Sequence, residues 1–294
     1  MKIGVCAPNY GETCSKEALC TFASEAEKLG FHSIWCTDHL LMSRNSGTPY
    51  ERIFESMTTL SYLAAITTKL RLGISSLITP MRNPVIIAKQ LATIDVLSQG
   101  RIMLATSVGW NEAEFGNLGS NFHNRGKRLD DSLRLFRGLW SGQTSFQSKV
   151  LPQRYQDAVF EPSPMKKLSI WIAGNSMAAM KRAAALGDGW HPNVQPLDRF
   201  TQLVSDFRNG FPEASKKEIS VRIGLNSKAK TSEYLSPQGE KRIMLSSNRV
   251  ENKKIVERLE GLGVSYMVLA PSSDGKASVN DQLDALRMMA EDFL

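Results

Sequence analysis

Asp38-His39 sets an acceptor-only carboxylate beside an imidazole that exchanges protons near neutral pH, the equipment of an acid/base site. Neighbours on a strand face opposite ways, so the two side chains need not meet. An Asp capping a turn and a His satisfied in a loop fit the same dipeptide. Gly174-Asn175-Ser176 follows an apolar run and opens a helical one, which offers backbone N–H groups where a helix dipole favours phosphate. The triplet would serve equally as a plain N-cap. Ser75 and Ser76 close another apolar run, either as ligand donors or as polar punctuation. His32 and His123 show no partner pattern and read as surface or packing residues. Cys6, Cys14, Cys20 and Cys36 have no C-x-x-C spacing and no His at zinc-ligand distance, so no metal site and no disulfide framework is expected. There is no G-x-S-x-G elbow, H-E-x-x-H helix or P-loop.

These residues recur at one kind of place, which the element pattern explains. Helical stretches end in Gly at Gly30, Gly100, Gly187 and Gly263, each followed closely by an apolar or β-branched run. Strands are expected over 2–7, 33–37, 70–78, 101–106, 169–173, 188–191, 220–225 and 265–269. Several are unbroken apolar runs, as in Ile102-Met103-Leu104-Ala105, which suits parallel strands covered on both faces. Helices alternate with them: Leu19, Phe22, Ala23 and Ala26 share one face, as do Leu129, Leu133, Phe136 and Trp140, while Asn83-Pro84 and Ser176 start two more. The alternation predicts an α/β fold, a (β/α)8 TIM barrel, with an insertion between strands four and five at 142–167. That insertion reads as poorly ordered and is expected at the rim, where it would build or cover a pocket; 226–247 reads as a polar, flexible segment. Catalytic groups of such barrels stand just after the strands, which selects Asn9, Asp38, His39, Ser75, Ser76, the 106–114 stretch, Gly174 to Ser176 and His191.

Composition narrows the class of partner. The 294 residues are 42% apolar and 22% charged, enough for a large core, and one domain over 1–294 is the default because α/β barrels often use about 250 residues. No apolar run approaches the roughly 18 residues of a membrane span. The N-terminal apolar run meets polar residues 9–12 too soon for a signal peptide, so a cytoplasmic location is expected. Lys and Arg exceed Asp and Glu by 36 to 29, but they are scattered and not interleaved with aromatics, which argues against nucleic acid.

As a set, Thr37-Asp38-His39-Leu40, Leu72-Gly73-Ile74-Ser75 with Pro80 and Asn83-Pro84, Ala92-Thr93-Ile94-Asp95-Val96-Leu97-Ser98-Gln99-Gly100-Arg101, Gly109-Trp110-Asn111-Glu112-Ala113-Glu114-Phe115 and Gly187-Asp188-Gly189-Trp190-His191-Pro192 resemble the bacterial luciferase-like superfamily. Asp38-His39-Leu40 is more similar to the branch that uses the deazaflavin coenzyme F420 than to the flavin monooxygenases. The resemblance implies a hydride-transferring oxidoreductase acting on a small organic substrate, supplied with reduced cofactor by a reductase and commonly a homodimer. It implies His39 for proton transfer or polarisation, and Asp38 against the ring system or ribityl chain. It implies a cis peptide at Ser75-Ser76 under the deazaflavin face and a phosphate cradle of Ala173, Gly174, Asn175 and Ser176, with Thr106 also at the cofactor and Asn9, Trp110 and His191 at the substrate. Members acting on glucose 6-phosphate carry a Glu at the position of Trp110 and a Trp at that of Ser43, so that substrate is not carried over. Glu112 and Glu114 lie nearby but read as carboxylates at a helix start, without a catalytic role. Specificity is expected from 142–167 and from 43–50. The alternative is a monooxygenase using reduced FMN and O2; a non-redox phosphate-binding barrel enzyme and an inactive cofactor binder are more distant readings.

Overall fold

A computed structural model describes every residue except Asn45, Gln238 and Ser273; Asn45, within the 43–50 stretch, thus lies outside the described residues. The chain runs β1 (Lys2–Cys6), α1 (Lys16–Lys28), β2 (Ser33–Cys36), α2 (Ser56–Ile66), β3 (Arg71–Ile78), α3 (Pro84–Leu97) and β4 (Ile102–Ser107). Next come α4 (Glu112–Asn117), α5 (Arg125–Trp140), β5 (Phe146–Gln147), β6 (Arg154–Tyr155), β7 (Ile170–Ala173), α6 (Met177–Leu186), β8 (Gly189–His191) and α7 (Leu197–Gly210). The last third holds β9 (Glu218–Leu225), β10 (Glu233–Leu235), β11 (Lys241–Leu245), α8 (Arg249–Gly261), β12 (Val264–Ala270) and α9 (Val279–Phe293). Strands β1, β2, β3, β4, β7, β8, β9 and β12 pair in parallel, and the β12–β1 and β8–β9 pairings close them into the expected eight-stranded barrel. Helices α1 to α3 and α5 to α9 pack outside, burying faces such as Leu19, Phe22 and Ala26 of α1.

Local chemistry fixes the joints. Ser15, Asn83 and Ser176 accept hydrogen bonds from the first turns of α1, α3 and α6, and Pro84 occupies a position where no N–H is needed. Gly30, Gly100 and Gly263 have φ of 86°, 79° and 82°, as a left-handed helix exit requires. Gly187 differs from expectation. It ends α6 in extended backbone, φ −88°, and is needed for close approach, because a Cβ there would lie 2.8 Å from Ile172.

Inside the barrel, Trp35 and Trp171 lie across the strands and stack at 5.6 Å, with Tyr266 edge-on to both. Three glycines clear the space. A Cβ on Gly73 would sit 2.2 Å from the Trp35 ring, one on Gly4 2.6 Å from its Nε1, and one on Gly189 2.7 Å from Trp171.

The two long connections exchange their expected roles. Residues 142–167 are ordered: β5 and β6 form an antiparallel hairpin, Lys89 bonds the Glu161 carbonyl at 2.6 Å, and Met165 N donates to Asp95 at 2.9 Å. This insertion is pinned to the outer helices, and none of it lines the cavity described below. Residues 226–247, expected to be flexible, instead carry the antiparallel β10–β11 hairpin. It is bound to the barrel by β11 pairing with the end of β9, Met244 opposite Gly224 and Leu245 opposite Leu225, and it forms cavity wall. Among the described residues no helix is long and apolar enough to cross a membrane.

Candidate active site

At the C-terminal ends of the strands opens a cavity of about 470 Å³, within the range of small-molecule sites. His39, just after β2, stands in its wall. Its Nδ1 lies 2.7 Å from Oε2 of Glu114 on α4, and its ring stacks on Tyr50 at 4.5 Å and meets Trp110 edge-on at 5.9 Å. Glu114 also accepts the Leu40 and Leu41 amides at 2.6 and 3.3 Å through Oε1. Burial pushes the Glu114 carboxyl up, but the His39 contact and those amides outweigh it and hold it below the usual carboxylate range. An ionised Glu114 keeps a proton on Nδ1, so Nε2 is the nitrogen left to exchange one. Glu114 is therefore more than the helix-start carboxylate expected; Glu112 stays at the surface, paired with exposed His123.

Asp38 borders the cavity with its carboxylate fully hydrogen-bonded within the protein. Its carboxylate receives both terminal nitrogens of Arg82 at 2.6 and 2.8 Å, the Ser56 hydroxyl at 2.7 Å and the Ile78 amide at 2.8 Å. Its four acceptor sites tie the end of β3 to the His39 loop. Asn9 and Thr106, expected at the substrate and the cofactor, stand behind the cavity wall. The Asn9 amide exchanges hydrogen bonds with the Thr37 backbone at 2.8 and 3.0 Å and donates to the Phe54 carbonyl, while Thr106 bonds the Leu77 carbonyl and Thr79. Both are fully buried and neither lines the cavity.

The remaining expected residues do gather there. The Ser75-Ser76 peptide is cis. His191 lines the floor with Nε2 2.8 Å from Ser75 Oγ and Nδ1 2.7 Å from Ser220 Oγ. Burial and the Arg222 charge push its pKa down to about 3, so it is a neutral ring. At the other end Ala173, Gly174, Asn175 and Ser176 present the start of α6 to the cavity. Gly174 has φ 125°, and a Cβ there would stand 3.1 Å from Ala179. The Asn175 side chain bonds both ways with Asn193 at 2.7 and 3.0 Å, holding the β7 and β8 exits together.

Arg222 escaped the sequence reading. It lies on β9 with its guanidinium in the cavity, donating to the Ser75 carbonyl and, at 3.0 Å, to Thr37 Oγ1. The signal was a charged residue interrupting the buried run Ile219-Ser220-Val221-Arg222-Ile223. Tyr50 closes the 43–50 stretch expected to carry specificity and does line the cavity, whereas Tyr234 was missed because nothing local marks an aromatic as cavity wall.

The model for luciferase-like monooxygenases matches residues 1–233. The chain is 30% identical over 207 residues to an FMNH2-dependent dimethylsulfone monooxygenase of Pseudomonas fluorescens, covering 69% of this chain and 54% of that protein. It is also 30% identical over 209 residues to an F420-dependent glucose-6-phosphate dehydrogenase of Kineococcus radiotolerans, covering 69% and 60%. It thus spans little more than half the length of each. An F420-dependent secondary alcohol dehydrogenase, solved with an F420-acetone adduct, shares the fold at a TM-score of 0.80 and 20% identity over 99% of this chain and 97% of that one. The match over residues 1–233, most of the chain, shows that this chain belongs to the luciferase-like monooxygenase family.

Proposed function

We propose that, within this family of deazaflavin- and flavin-dependent oxidoreductases, the chain transfers hydride between coenzyme F420 and a small organic substrate, with His39 moving the accompanying proton. The observation that carries this reading is the His39–Glu114 pair: a buried imidazole with its proton fixed on Nδ1 and its basic Nε2 left to the cavity is what oxidation of an alcohol, or the reverse, requires. A flat ring with a phosphate-bearing tail is the ligand class this reading places in the cavity, since the α6 N-terminus, through Gly174, Asn175 and Ser176, lines one end and the Ser75-Ser76 segment and His191 line the floor. When bound, F420 supplies a ring carbon that accepts or gives hydride.

The protein's own part follows from the geometry. His39 Nε2 takes the proton of a substrate hydroxyl, and Glu114 stabilises the imidazolium that results. Tyr50 and Trp110 hold the imidazole between them and exclude water from it. Asp38 and Arg82 keep the His39 loop in register with β3. Neutral His191 lends neutral hydrogen bonding to the floor, and Arg222 supplies the positive charge there.

A second reading, oxygenation with reduced FMN, is favoured by the dimethylsulfone monooxygenase relative. Titration of the purified protein with F420 and with FMN separates the two. Tight F420 binding that weakens in Ser176→Ala, with oxygen-independent turnover of alcohols or carbonyls, is the expected result. Binding of FMN alone, with turnover that consumes O2, would transfer the assignment to the second reading.

A further inference from the structure

Below the cavity floor an aromatic column continues through the barrel. The His191 ring lies nearly parallel to Trp35 and Trp171, at 6.1 and 5.8 Å, and the two indoles stack at 5.6 Å. Tyr266 meets them edge-on at 6.1 and 5.0 Å. Its hydroxyl lies 2.6 Å from Nδ1 of His32, a half-buried residue just before β2 and so at the barrel face opposite the cavity. A hydrogen-bonded path runs beside the rings. The Trp35 indole N–H, which can only donate, bonds Ser33 Oγ at 2.6 Å. The Ser33 hydroxyl is then free to donate to the Tyr266 oxygen at 2.5 Å, and the Tyr266 hydroxyl has two acceptors within reach, Met103 Sδ at 3.6 Å and His32 Nδ1 at 2.6 Å, of which the nearer and stronger is the imidazole nitrogen. Burial, with the Lys2 and Arg71 charges, pushes the His32 pKa down to about 4, so its imidazole is a neutral proton acceptor at neutral pH. The Trp171 indole N–H is likewise held by a carboxylate, Glu218 at 3.1 Å. Barrel interiors are ordinarily filled by branched aliphatic side chains. Here Gly4, Gly73 and Gly189 give up side chains so that rings can fill the space.

We propose that this column conducts single-electron loss from the cavity floor to the opposite barrel face, with Tyr266 and His32 as its terminus, and so removes one-electron oxidants that arise in the cavity. The oxidant is a photoexcited or radical heteroaromatic ring. It takes one electron from the Trp35–Trp171 stack and is itself reduced by one electron. The indole radical cation is refilled by one electron from Tyr266, whose phenolic proton passes to His32 Nδ1, leaving a neutral phenoxyl radical and an imidazolium. A thiol at the His32 face resets the pair: it gives one electron to the phenoxyl, which recovers its proton from the imidazolium, and the thiol releases its own proton as it becomes a thiyl radical. The path does not depend on which cofactor the enzyme uses.

Riboflavin added to the purified protein and excited by a flash serves as the oxidant, with transient absorbance as the readout. In the wild type an indole-radical signal is expected to decay into a tyrosyl signal. Tyr266→Phe, which keeps the ring, should lose the tyrosyl rise and prolong the indole radical. His32→Leu, at the barrel face, leaves Tyr266 in place and should slow the conversion and abolish its solvent deuterium isotope effect; it carries the test if the first variant does not fold. A tyrosyl signal undiminished in Tyr266→Phe, conversion kinetics unchanged in His32→Leu, or no indole-to-tyrosyl conversion in the wild type would each overturn the proposal.

Discussion

His39 owes its orientation to a residue 75 positions further along the chain. No local pattern shows that closure. Glu114 sits in the first turn of α4, where the helix dipole alone accounts for a carboxylate, and only the folded barrel reveals that Oε1 and Oε2 face the His39 loop. Asp38-His39 was legible as a pair, but the sequence could not say which of the two would be consumed by Arg82. His39→Asn should lower kcat by about 10²–10⁴, the usual worth of a positioned acid/base group, while cofactor affinity measured by fluorescence stays near the wild-type value. Glu114→Gln should lower kcat by about tenfold or more and move the pH dependence of kcat, because the neutral amide no longer supports the imidazolium. Stability should also respond to His191. Its folded pKa, about 3, is below the unfolded value near 6.5, so the unfolded chain binds the extra proton between them and stability falls as pH falls through that window. The expected slope is about 1.4 kcal/mol per pH unit from this group, measurable by urea denaturation at successive pH values, and His191→Gln should flatten it.

Elements were the most legible scale. All eight barrel strands overlap the stretches expected for them, several marked by unbroken apolar runs and four by a preceding Gly, since buried parallel strands and helix ends each leave a local mark. The short β10 and β11 leave none: β11 takes its register from the end of β9, a tertiary contact, and β10 takes its own from β11. The insertion misled for the complementary reason, because Gln, Ser and Pro describe its surface and not its anchorage to α3 and α5. The glycines separate two physical requirements. Gly73→Ala drives a methyl into Trp35 and should cost about 1–3 kcal/mol or more by overpacking. Gly30→Ala meets nothing within 4 Å, yet holds φ 86°, and should cost about 1–2 kcal/mol from backbone conformation alone. Thermal unfolding of both variants measures the contrast, and the Gly73 variant alone should perturb the near-ultraviolet dichroism of the indole stack.

Over the whole molecule, the working parts come from distant stretches of chain. The His39–Glu114 pair and its supports lie between Thr37 and Glu114, the α6 N-terminus follows β7, and Arg222 reaches across the barrel from β9 to Ser75. The outer wall comes from the β10–β11 hairpin, which contributes Tyr234, Pro237, Glu240 and Arg242 and joins the barrel along one short strand pairing. Such separation makes the hairpin an exchangeable cassette. Residues 233–245 can be replaced by the equivalent segment of a relative without altering any atom of His39, Glu114 or the helix that faces the cavity end. A panel of such chimaeras should keep His39-dependent turnover while the range of accepted substrates shifts with the donor, so that within this barrel new specificities can arise without the chemistry being rebuilt.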